Sequence, residues 1–122
     1  MNKILILGGS SEIGKTFLNK IDKENRFDIH IHYNNAKIKR SLYKKCNFIK
    51  ADLNKINEKN LSKNFDNNYD IIVNLTGYIS NQSFLKFNTA ELYKTININS
   101  IVPMLIIRNN LNHMIKNKFG RI

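Results

Sequence analysis

The stretch "ILILGGSSEIG", Ile4 to Gly14, limits what this chain can fold into more than any other. A short continuous apolar run that stops at glycine is what a parallel strand buried on both faces requires. Two serines follow, and either Ser10 or Ser11 can cap a helix that starts near Glu12 and turns Ile13, Phe17, Leu18 and Ile21 inward. Strand, glycine turn and helix in that order aim backbone N–H groups and the positive end of a helix at one point. Such a turn binds an anion, and a phosphate-bearing ligand is the expectation.

The rest of the chain repeats the alternation. "FDIHIHY" (Phe27 to Tyr33) is a second strand, with His30 and His32 on one face. "KRSLYKKC" predicts a short helix, and "NFIKADL" (Asn47 to Leu53) a third strand with its exit turn. "KINEKNLSKNF" reads as a modest helix carrying Ile56, Leu61 and Phe65 on one side, and "YDIIVNLTG" (Tyr69 to Gly77) as a fourth strand. A long helix is predicted from about Ala90 to Lys116, ended by Gly120, with "RI" opening a fifth strand. The expected fold is α/β, with a parallel sheet and right-handed crossovers, incomplete after strand four and the start of strand five.

At 122 residues the chain is expected to be a single domain, 1–122, truncated at its C-terminal side. The formal net charge of +11 invites a nucleic-acid partner. However, most of the basic residues are Lys, and they are scattered together with numerous Asn along the whole chain, without an Arg-rich arm or an aromatic-interleaved stripe. That distribution argues against nucleic acid as the main partner. Cys46 stands alone, which excludes a disulfide framework, and the three histidines lack the spacing of a metal site and read as structural. The longest apolar run, "IVPMLII", is far too short to cross a membrane, so a cytoplasmic protein is expected.

The glycine turn allows two ligands. Gly9 to Thr16 satisfies the Walker A pattern G-x-x-x-x-G-K-[ST], which would make the chain a P-loop phosphotransferase. Glu12 speaks against it. Beside the β- and γ-phosphates its carboxylate would meet like charge, at about 4 kcal/mol for 4 Å and an effective dielectric near 20. A strand-closing Asp for Mg²⁺ is also wanting, because strand four ends in Asn74 and the other candidate is Asp52. A dinucleotide brings only a pyrophosphate, which the same turn accommodates.

Taken together, "LILGGSSEIG", "ADL", "IIVNLTG", "INSIVP" and "GRI" resemble, in order and spacing, the N-terminal half of the classical branch of the short-chain dehydrogenase/reductase family. The resemblance runs over essentially the whole chain. It implies a Rossmann-like, doubly wound sheet in the order 3-2-1-4-5, an NAD(P)-dependent oxidoreductase acting on a small carbonyl or alcohol, and a homo-oligomer for an intact member. The family's T-G-x-x-x-G-x-G turn falls on Leu7, Gly8, Glu12 and Gly14, so Leu7 and Glu12 depart from the pattern. Ser10, Ser11 and the backbone of Ile13 would contact ribose and pyrophosphate. Asp52 matches the acid that accepts the adenine amino group, with Leu53 offering backbone beside it; a plain helix N-cap is the alternative for Asp52. The N-N-A-G motif becomes Asn74, Leu75, Thr76 and Gly77, where Asn74, Thr76 and Gly77 would support the riboses.

Asn99 is the candidate catalytic residue. Pro103, four residues on, has no N–H to give the carbonyl of residue 99. In the family that carbonyl binds a water in a proton relay; a helix kink without function is the alternative. Cofactor choice is read after strand two, where Asn34 and Asn35 replace the acid that would repel a 2′-phosphate, and Lys37, Lys39 and Arg40 follow. NADP(H) is favoured, with NAD(H) possible, and a solvated basic helix is the bland alternative. The family's Ser and Tyr-x-x-x-Lys would come after strand five, whereas "YNNAK" (Tyr33 to Lys37) lies at the adenosine end and is chance. This chain is therefore expected to be a cofactor-binding half, inactive and prone to self-association along strand four; a non-catalytic dinucleotide-binding module remains the other possibility.

Overall fold

The computed structural model describes residues 1–122. Four parallel strands, β1 (Asn2–Leu7), β2 (Phe27–Tyr33), β3 (Asn47–Lys50) and β4 (Ile71–Asn74), form one sheet in the order β3-β2-β1-β4. The fold is the α/β sheet that the alternation predicts, in the Rossmann-like order that the resemblance implies. A fifth strand is begun: Arg121 bridges Ile71 in parallel, with Ile72 N–H donating to the Arg121 carbonyl at 2.9 Å and Arg121 N–H to Asp70 at 3.1 Å. No other residue pairs with that side of β4.

The two-residue period of β1 sorts its side chains between two cores. Ile4 and Ile6 join Ile29, Ile31 and Leu18 on one face. Leu5 and Leu7 join Phe65, Tyr69, Ile72, Val102 and Ile106 on the other. Helix α1 (Glu12–Ile21) covers the first face, and its N-cap is Ser11, whose Oγ accepts from Gly14 N–H at 3.0 Å.

The predicted helix over "KINEKNLSKNF" does not form as one element. A 3₁₀ turn (Leu53–Lys55) and a single helical turn, α2 (Leu61–Asn64), stand in its place. The asparagines explain the break. Asn57 N–H donates to Asn60 Oδ1 (2.8 Å), Lys59 N–H to Asn57 Oδ1 (3.0 Å), and Asn60 Nδ2 to the Lys55 carbonyl (2.8 Å). Side chains that bond the local backbone compete with the helical ladder. Ile56, Leu61 and Phe65 are nevertheless all buried, so the apolar spacing identified the right residues in the wrong backbone. "KRSLYKKC" likewise gives only a 3₁₀ turn, Arg40–Leu42.

The long helix starts at Thr89, capped by Asn88, and divides into α3 (Thr89–Ile96), a π turn (Asn97–Ile101) and α4 (Val102–Lys116). Within the π turn Val102 N–H reaches the Asn97 carbonyl, one residue further than the α pattern. Pro103, which cannot donate, follows directly and occupies the first turn of α4. The helix stop also differs from expectation. Lys118, at φ 52°, takes the left-handed position, with Lys118 N–H donating to Ile115 (3.1 Å) and Phe119 N–H to Met114 (3.1 Å). Gly120 is required for a different reason: a Cβ there would lie 2.7 Å from Met114 Sδ.

Candidate functional site

All four strands end on the same side of the sheet, and order reversal between β1 and β4 opens a crevice there. A cavity of about 280 Å³ occupies it, lined by residues that follow each strand: Gly8, Ser10 and Ser11 after β1, Asn34 and Ala36 after β2, Asp52 and Leu53 after β3, and Thr76, Gly77 and Tyr78 after β4. His32 and Ile98 complete the wall.

The glycine turn is shaped by two close approaches. Gly8 has φ 75°, and a Cβ on it would sit 2.8 Å from the Leu75 carbonyl oxygen, so only glycine fits. At Gly14 a Cβ would meet Gly9 backbone at 2.7 Å, which is how α1 comes so near the strand. Gly9 N–H donates to the His32 carbonyl (3.0 Å) and Ser11 N–H to Gly8 (3.1 Å). Glu12 lies outside the crevice, fully exposed and bonded to Lys15 at 2.8 Å. The Lys15 ammonium holds its carboxyl below the usual glutamate range. The lysine of the Walker pattern is thus already engaged by a carboxylate.

Asp52 turns its side chain back to accept from Asn54 N–H at 3.0 Å, so the N-cap reading describes what it does here, while the residue also lines the cavity. Asn74 folds over the turn after β4, where Oδ1 accepts from Thr76 N–H (3.1 Å) and Thr76 Oγ1 (2.6 Å). It shapes the Thr76–Gly77 turn without lining the cavity. Asn99 grips Tyr78 from both sides: its Oδ1 accepts from the Tyr78 N–H at 2.7 Å and its Nδ2 donates to the Tyr78 carbonyl at 2.9 Å. Tyr78 in turn donates its hydroxyl to Glu91 at 2.6 Å, the main cause that lowers the Glu91 carboxyl from its ordinary value. The π turn therefore sits against the end of β4 through one residue.

The structure brings Gly8, Ser10, Ser11, Asn34, Asp52, Leu53, Thr76 and Gly77 to one cavity. Gly14 is buried behind the turn, and the Ile13 side chain points outward, 71% exposed. Asn35 lies in a larger neighbouring cavity of about 660 Å³, lined also by Lys15, Lys37, Lys39, Arg40 and Lys50. Four wall residues, His32, Ala36, Tyr78 and Ile98, were missed as site residues in the sequence. Tyr78 follows the glycine turn and has no pattern of its own. His32 was legible in principle: a histidine at the C-terminal end of β2 must face the glycine turn or the opposite core. No group of His, Cys, Asp and Glu is arranged to hold a metal, and no helix is long and apolar enough to cross a membrane.

Comparison with known proteins agrees with this fold. The chain is 28% identical over 78 residues to the 3-oxoacyl-[acyl-carrier-protein] reductase FabG of Aquifex aeolicus, covering 59% of this chain and 32% of that one. Its fold superposes on a short-chain dehydrogenase from Sphingobium yanoikuyae in complex with NADPH, with a TM-score of 0.79 at 17% identity, over 98% of this chain and 51% of that one. The FolM alternative dihydrofolate reductase 1 of Brucella suis, in complex with NADP, matches with a TM-score of 0.73 at 16% identity, over 93% and 51%. The chain spans about half the length of these solved structures (51% of each) and less of the curated relative. The sequence profile of the short chain dehydrogenases matches residues 2–122, and the chain belongs to that family.

Proposed function

We propose that this chain binds a nicotinamide dinucleotide and is the cofactor-holding half of an oxidoreductase acting on a small carbonyl or alcohol. The observation that carries the reading is the shared wall of two cavities: Asn34 and Ala36 line both the crevice at the strand ends and the cationic hollow beside it. A dinucleotide needs that combination, a glycine turn for its pyrophosphate and room along β2 for its adenosine ribose. The crevice fits the group, because Gly8, Ser10 and Ser11 line it and Glu12, the carboxylate on the turn, is directed to Lys15.

Gly8, Ser10, Ser11 and the backbone of Ile13 would hold the pyrophosphate and ribose, with Gly14 permitting the close helix. Asp52 and Leu53 would face the adenine, and the turn that Asn74 builds with Thr76 and Gly77 would support the second ribose. Asn99 would serve proton transfer through its main-chain carbonyl. When bound, the cofactor supplies or accepts a hydride. The cations Lys37, Lys39 and Arg40, with Asn34 and Asn35 in place of an acid, favour NADP(H). The NADPH- and NADP-bound relatives support the same choice.

Isothermal titration of NADPH, NADH and ATP·Mg²⁺ tests the proposal. NADPH is expected to bind more tightly than either. Asn34→Asp should move preference toward NADH by about tenfold, the worth of one repulsive contact of 1.4 kcal/mol. An ATP preference that disappears in Lys15→Ala would instead establish the triphosphate reading.

A further inference from the structure

His32 is 3% exposed, and both of its ring nitrogens are committed. Nδ1 lies 3.2 Å from Gly8 N–H, in the glycine turn. Nε2 lies 2.9 Å from the Ala51 carbonyl, at the exit of β3. These partners leave no freedom in the ring: a backbone N–H can only donate and a carbonyl can only accept. Nδ1 must therefore carry the lone pair and Nε2 the proton, which is a neutral imidazole in one tautomer. We propose that His32 is a positioning residue for the glycine turn: its neutral ring clamps Gly8 to the exit of β3, and uptake of a proton at Nδ1 opens the clamp.

A proton on Nδ1 would face the Gly8 N–H donor to donor, so the bond is lost and the two repel. The surroundings decide how readily the proton arrives. From the glycine turn the ring meets the Gly8 N–H, and Ser10 and Ser11 share the cavity wall. From the β3 exit come the Ala51 carbonyl and the Asp52 carboxylate, which shares the cavity wall. The Phe65 ring packs at 5.8 Å between centroids, and Tyr78 lines the cavity opposite. On β2 itself His30, on the same face, is occupied by Asp28, Asn47 and Tyr69. Burial pushes the His32 ring below the ordinary histidine range, partly offset by its bond to Ala51. The clamp is accordingly closed at neutral pH and opens only in acid.

Its consequence for affinity rests on the dinucleotide reading above; the clamp itself does not. In the intact chain, ¹⁵N NMR of the imidazole should show the Nε2–H tautomer at pH 7.5, and the Gly8 amide shift should follow the His32 titration. If only the neutral form holds the turn, the Kd for NADPH rises about tenfold one pH unit below the His32 midpoint, because only about a tenth of molecules retain the clamp. His32→Gln, and His32→Asn should the first not fold, should lack this pH-dependent component. The ligand's own 2′-phosphate titrates equally in all three. An Nδ1–H tautomer, a Gly8 amide indifferent to the ring, or identical pH profiles for wild type and variant (acid unfolding included) overturns the proposal. Failure of NADPH to bind at any pH while the Gly8 amide tracks the ring would overturn the dinucleotide reading and leave the clamp supported.

Discussion

The two halves of the sheet are held by different means. Around β1 and β2 stability comes from area: Ile4, Leu5, Ile6 and Leu7 are all buried, and each face of β1 meets its own core. Around β4 only the face toward α4 is closed. Ile72 is buried there, while Ile71 and Val73 on the other face are half-buried, and Ile101, Met104 and Ile115 along the helix stand exposed. Besides the core that Ile72 shares with Val102 and Ile106, this half relies on single polar bonds, Asn110 to Tyr69 and Asp70 to both Lys3 and His113. Apolar area is forgiving in its details, whereas each of those bonds depends on one side chain.

The largest expected difference follows from burial. Ile6→Ala should cost about 2–5 kcal/mol, as deletions in closed cores do. Val73→Ala should cost about 1 kcal/mol, because its side chain keeps part of its contact with water. Urea unfolding of both variants at one protein concentration measures the contrast. Equal losses would mean that β4 is covered in solution, and a Val73→Ala cost that grows with concentration would identify a second copy of the chain as the cover.

This contrast also explains what was legible in the sequence. Strands β1 and β2 and the start of α1 follow from apolar runs and glycine, and burial obeys those patterns; the sheet order came with the family resemblance. The expected start of a fifth strand is there, with Arg121 pairing beside strand four. The crevice was legible as far as strand ends were, since Gly8, Asp52 and Gly77 each follow one. Elements governed by polar side chains were not. Asn57 and Asn60 unravel a helix that the spacing of Ile56, Leu61 and Phe65 predicts. The π turn and the left-handed Lys118 depend on which carbonyls find donors, and no residue pattern announces that. His32 belongs to the same class: its two partners are backbone atoms, one from a turn and one 19 residues away.

A buried polar bond is next in expected size. Asn110 is fully buried, its Oδ1 accepting from Tyr69 N–H (2.8 Å) and its Nδ2 donating to the Ile106 carbonyl (2.8 Å). Asn110→Ala removes the acceptor and leaves the Tyr69 N–H without a partner in a closed core, at about 1–3 kcal/mol. Hydrogen exchange separates this from a general loss of packing. The Tyr69 amide should exchange much faster in the variant while the amides of β1 keep their order of protection. Acceleration spread evenly over both halves would erase the distinction drawn between them.

The smallest expected effect concerns Asp70, where the sheet and α4 are joined by charge. Its Oδ2 accepts from Lys3 N–H at 2.8 Å and its Oδ1 lies 2.9 Å from His113 Nε2 in the last turn of the helix. Burial resists the ionised carboxylate, but the Lys3 N–H bond and His113 together outweigh it, and the carboxyl is held below its ordinary value. A carboxyl that is more acidic folded than unfolded stabilises the fold at every pH above its unfolded value, near 3.9. That contribution fades as pH falls through the folded value. Asp70→Asn should therefore cost about 1 kcal/mol at pH 7, where a charge-assisted bond becomes a neutral one, and the difference from wild type should shrink steadily below pH 4. Urea unfolding at several pH values gives the difference, and carboxyl ¹³C titration gives the Asp70 value directly. A penalty that stays constant down to pH 3 would show that Asp70 acts through shape and neutral hydrogen bonding alone, and the β4 half would then owe nothing to charge.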